Sequence, residues 1–97
     1  MKKWAMVIMN AGYDPKKDAA RLDTADKETH ILTVRNPEEA VELARKLAND
    51  GFGAIEVCGA FGEELARKMY EATGCTVPVG YVATPEDQFE KALKFWS

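Results

Sequence analysis

The sequence predicts an α/β domain built on a mainly parallel sheet. Three observations carry that expectation. Short apolar runs alternate with segments of helical periodicity, the helical segments open on a repeated device of capping residue, proline and acidic residues, and two of them close on glycine. Four strand–helix units follow one another in 97 residues, which fills a single domain, residues 1–97, and leaves no room for a second.

Trp4 to Met9 is a continuous apolar run, the pattern of a strand covered on both faces. Asp14-Pro15 then offers an N-cap and a proline for the first helical position, opening a short helix to about Leu22. Residues 23–28 are polar, and His30 to Val34 reads as the second strand. Asn36-Pro37-Glu38-Glu39 supplies cap, proline and capping-box glutamate in succession. The helix that follows places Ala40, Val41, Ala44, Leu47 and Ala48 on one face and stops at Asn49-Asp50-Gly51. Ala54 to Cys58 is the third strand, apolar apart from Glu56. Glu63 to Thr73 is the third helix, with Leu65, Ala66, Met69 and Tyr70 on its buried stripe and Gly74 as its stop. Val77 to Val82 makes the fourth strand, whose Pro78 belongs near its start or on a sheet edge. Thr84-Pro85-Glu86-Asp87 repeats the capping device and opens a last helix with Phe89, Ala92, Leu93 and Trp96 at helical spacing.

The order βαβαβαβα implies right-handed crossovers with helices on both faces of the sheet. The two most apolar strands, the first and third, belong in the middle, giving the flavodoxin-like order 2-1-3-4. Half of a β/α barrel is the alternative that four such units also fit. An exposed edge on the fourth strand and the aromatic-rich last helix (Phe89, Phe95, Trp96) are hazards in a monomer, so a homo-oligomer is expected, with a dimer favoured. Trp4, Met6, Met9, Phe52 and Met69 are expected in the core.

Composition narrows the chemistry. There is one histidine, His30, one serine, the terminal Ser97, and two cysteines, Cys58 and Cys75, far apart in the chain. That inventory excludes an internal Ser/His/Asp triad, a two-histidine metal site, a CxxC pair and a zinc knuckle, and no cofactor is implied. Thirteen Lys+Arg against sixteen Asp+Glu, a net charge of -3 and no basic run longer than a pair argue against nucleic acid as a partner. The six apolar residues from Trp4 to Met9 are too few for a signal sequence or a membrane span, so a cytoplasmic protein with two free thiols and no membrane partner is expected.

In an open parallel sheet a ligand sits beyond the carboxyl ends of the strands, where strand order reverses. For the expected order that point lies between strands one and three, flanked by Asn10-Ala11-Gly12-Tyr13 and Gly59-Ala60-Phe61-Gly62, which hold three of the seven glycines. Asn10, Gly12, Tyr13, Gly59, Phe61 and Gly62 are therefore the ligand-binding candidates. A phosphate cradle is disfavoured, because Glu63 and Glu64 directly follow Gly62. Cys58, ending the third strand before the glycine loop, and Glu56, a carboxylate in an apolar strand, are the catalytic candidates. His30 is expected at an exposed or edge position at the opposite end of the sheet, out of reach as a base.

Asp14-Pro15 after the first strand, the segment from Ala54 through Glu56, Cys58 and Gly59 to Gly62, and Val77-Pro78-Val79-Gly80 together resemble a family of short prokaryotic α/β proteins known as a domain of unknown function. The likeness spans nearly the whole chain. It departs at Ala60, where a second consecutive glycine is associated with the family, and in a longer last helix. The resemblance implies emphasis on Glu56, Cys58, Gly59, Phe61 and Gly62 without implying a reaction. A receiver domain's acidic pair and phospho-acceptor are replaced by Asn10 and Cys58-Gly59, and the cobalamin DxHxxG loop is missing. The expectation is an α/β domain that binds a small metabolite at the carboxyl ends of strands one and three. The alternatives are a small cofactor-independent lyase or isomerase using Glu56 or Cys58, and a structural or assembly protein.

Overall fold

A computed structural model describes residues 1–97. It is a mixed α/β fold with five strands, β1 (Lys2–Met9), β2 (Ala20–Arg21), β3 (Lys27–Val34), β4 (Ala54–Val57) and β5 (Val79–Tyr81), and three helices, α1 (Pro37–Asn49), α2 (Gly62–Ala72) and α3 (Phe89–Trp96). The sheet runs β2-β3-β1-β4-β5. β3, β1, β4 and β5 are parallel, and β2 adds to the β3 edge in the antiparallel sense.

The four parallel strands keep the expected succession 2-1-3-4, but the sheet has five strands where four were expected, and the reason for the added β2 lies in the first crossover. The Asp14–Leu22 stretch was expected as a helix. It forms a single turn, in which the Asp14 carbonyl accepts from the amides of Lys17 and Asp18 and its carboxylate from Lys16 N. Only Ala19, Ala20 and Leu22 are apolar there, too few to hold a helix against the sheet. The chain runs on extended instead, and Ala20–Arg21 pairs with His30 and Ile31.

The absence of that helix leaves one sheet face bare. The β3-α1-β4 and β4-α2-β5 crossovers both progress the same way across the sheet, so right-handed connections put both helices on one side. There they contact each other and close one core: Ala5, Val7, Val34, Ile55 and Val57 from the strands, Ala40, Ala44 and Leu47 from α1, Ala66 and Met69 from α2, with Phe52, Phe61 and Val77 from the connections. Helices on both faces, as expected from the sequence, do not occur. Alternation along the strands turns Trp4, Met6, Ile8, Ile31, Ala54 and Glu56 to the opposite face. Phe52 and Met69 are buried as expected and Met9 packs against the core, but Trp4 and Met6 are half-buried on the bare face. The Trp4 indole compensates by donating to Thr29 Oγ1 at 2.7 Å.

The helices of the core follow their caps. Asn36 Oδ1 accepts from Glu39 N at 2.9 Å, with Pro37 next in line, and α1 ends at Asp50 before Gly51 at φ +86°. α2 ends at Thr73 before Gly74 at φ +75° and Cys75 at φ +59°. At the last helix the device works differently: Glu86–Gln88 form a 3-10 turn after Pro85, and α3 begins only at Phe89. α3 packs chiefly on that turn, and every residue in it but Ala92 is exposed.

Candidate functional site

The expected crevice involves the loops after β1 and β4, and the local sequence dictates how each is built. After β1, Asn10 Oδ1 accepts from Gly12 N at 2.8 Å and the Asn10 carbonyl accepts from Tyr13 N at 3.1 Å, so Asn10 folds its own turn. A Cβ on Gly12 would lie 3.3 Å from that Oδ1, which explains glycine there. Tyr13 emerges half-buried from the turn. After β4, Phe61 N donates to the Cys58 carbonyl at 3.1 Å, the Phe61 ring enters the core, and Gly62 at φ +75° starts α2. Gly59 is exposed and nothing lies near the position of a Cβ.

Cys58 is a free, half-buried thiol packed against the core. Glu56 is exposed on the bare face, forms no ion pair, and lies over Gly80, where a Cβ would stand 3.9 Å from its Oε2. Expected from sequence as an edge or exposed residue, His30 instead occupies the middle of β3, because the strand begins three residues earlier, at Lys27. Its ring stacks edge-on against Phe52 at 4.8 Å, and its Nε2 bonds Glu28 at 2.9 Å. That hydrogen bond holds the Glu28 carboxyl below its usual range.

A cleft of about 760 Å³ lies beside these loops, at the carboxyl end of β3. Tyr13, Asp14, Pro15 and Lys16 form one wall, Leu32 to Arg35 the floor, and Glu39, Glu42, Leu43 and Lys46 of α1 the other wall. It exists because β2 covers β3 only as far as Ile31, leaving the last turn of strand and the flank of α1 open. Of the sequence candidates Tyr13 alone enters this cleft, while Asn10, Gly12, Glu56, Cys58, Gly59, Phe61 and Gly62 stand outside its lining. Lys16, Arg35 and Lys46 were not singled out as ligand residues. The cue was Arg35 directly before the Asn36 cap, at the end of a strand.

Most charges in the cleft are already paired. The Arg35 guanidinium donates to both Glu39 oxygens, at 3.0 Å and 3.2 Å through Nε, and its amide donates to Glu39 Oε1 at 2.8 Å. These bonds hold Glu39 below, and raise Arg35 above, their usual values. Lys46 pairs with Asp50 at 3.2 Å, and Glu42 pairs with Arg45. Lys16 has no ion-pair partner. No three His, Cys, Asp or Glu side chains are disposed to hold a metal ion, and no helix is long and apolar enough to cross a membrane.

With this geometry in view, a family model matches residues 2–97: the family of unknown function DUF6506. The chain belongs to this family. Membership thus covers both the cleft and the Glu56 to Gly62 segment on which the sequence resemblance rested. No curated protein and no solved structure matches the chain.

Proposed function

We propose that the chain is a small-molecule-binding domain whose ligand, an organic acid of metabolite size, occupies the cleft beyond the carboxyl end of β3. The observation that supports this reading is the one uncommitted cation, Lys16, at the rim of a cleft of about 760 Å³ floored by Leu32 and Val34. That volume suits a small ligand, and a cleft with an apolar floor and few convergent polar groups is the usual form of such a site. The anionic group meets Lys16, and the carbon skeleton lies between the Tyr13 ring and Leu43. The Asn10 turn sets the position of Tyr13. The glycine loop after β4 serves to steer Phe61 into the core and to open α2. In this reading Glu56 and Cys58 have no catalytic duty.

The test is a thermal-shift screen of small carboxylates and phosphomonoesters, with titration of any stabilising compound. Lys16→Ala is expected to weaken binding about two- to fivefold, the worth of one exposed charge pair, and Tyr13→Ala to weaken it further. A panel without any stabilising compound, or a compound indifferent to both substitutions, overturns the proposal.

A further inference from the structure

The bare sheet face and α3 are both apolar and both lack a partner within the chain. Trp4, Met6 and Ile8 of β1, Ile31 of β3 and Ala54 of β4 stand on three adjoining strands with no helix over them. α3 carries Phe89, Leu93 and Trp96 along one side, exposed by 54%, 55% and 81%, and Phe95 stacks edge-on against Trp96 at 4.9 Å. Surfaces of this kind are rare on monomers and mark interaction sites.

We infer that α3 of a second copy of this chain covers the bare sheet face, in a reciprocal twofold dimer. Two observations choose a second copy as the occupant. The dimensions agree: eight residues of helix are about 12 Å long, and the three strands β3, β1 and β4, spaced by about 4.8 Å, span roughly 10 Å. The area is sufficient. Aromatic side chains bury about 150–250 Å² each, so roughly 400 Å² remains to be covered on each helix; the half-buried sheet side chains add roughly 250 Å², and two reciprocal contacts remove roughly 1,300 Å² in all, within the range of a stable interface. One twofold axis satisfies both surfaces of both copies at once and leaves neither exposed. The interface lies on the face opposite α1.

Light scattering at micromolar concentration tests this directly. The unaltered chain is expected at the dimer mass. Leu93→Asp and Trp96→Asp, on a helix that packs on little of its own chain, keep the fold by circular dichroism and raise the dissociation constant by at least about 30-fold, the effect of losing a hot-spot residue. A cross-link fixes the pairing. Two chains lacking native thiols (Cys58→Ser, Cys75→Ser), one with Met6→Cys and the other with Leu93→Cys, are mixed and oxidised. A disulfide joining the two different chains supports the proposal. A monomeric unaltered chain, a dimer that survives both α3 substitutions, or cross-links only between two Met6→Cys chains overturns it.

Discussion

Single residues set the ends of the elements, and their energetics can be tested one at a time. Asn36 satisfies an otherwise unpaired amide of the first turn of α1 through its bond from Glu39 N. Asn36→Ala is therefore expected to cost about 1 kcal/mol in urea unfolding, the usual worth of a cap. At Gly62 and Gly74, both at φ +75°, a Cβ would meet no atom within 4 Å, so the cost of alanine is purely that of the backbone. Each Gly→Ala change is expected to destabilise by about 1 kcal/mol, equally at the two positions despite their different surroundings. Glu39 and Glu28 both have carboxyls held below the ordinary value of 4.5, by bonds from Arg35 and His30. Folding lowers these pKa values, so the stability they contribute is present above the ordinary value and is lost as the pH falls through the depressed one. Glu39→Gln is expected to flatten the acid limb of stability plotted against pH below about 4.5 while leaving its alkaline side unchanged.

At the scale of elements, stability rests on the packing between α1, α2 and the sheet. Met69 is fully buried at the centre of α2. Met69→Ala is expected to cost about 2–5 kcal/mol, through lost burial and the cavity left behind, and to lower the thermal midpoint accordingly. Elements of this kind are legible in sequence because cap, periodicity and stop agree: α1 carries Asn36, an alanine-rich stripe and Gly51, and α2 carries its stripe and Gly74. Where only one of these signals is present, the reading goes astray. Asp14-Pro15 has a cap without a stripe and gives one turn, and Thr84-Pro85 precedes a 3-10 turn instead of capping α3. Lys27–Thr29 looks like loop, because polar residues are tolerated on a strand next to the sheet edge. A two-residue strand such as β2 carries no periodicity at all.

For the whole molecule, the parallel α/β character followed from the order of apolar runs and helices, but the distribution of helices over the two faces did not. That distribution depends on whether one crossover, residues 10–26, contains a helix, and a single missing apolar stripe decides it. The same change leaves Trp4 on an open face, since its core position rests on a sheet covered on both sides, whereas His30 lies mid-strand because β3 begins at Lys27. Of the site, Tyr13 was legible through its place after a central strand. The opposite wall from α1 was not, because it depends on β2 stopping at Ile31.

The brevity of the two outer strands bears on how many copies can associate. β2 pairs over two residues, its Arg21 bound to Asp23 and Glu28, and β5 spans three residues next to Pro78 with Gly80 at its middle. Neither offers a run of free backbone groups long enough to template another strand. Lateral growth of the sheet into ribbons or fibrils is therefore blocked at both margins.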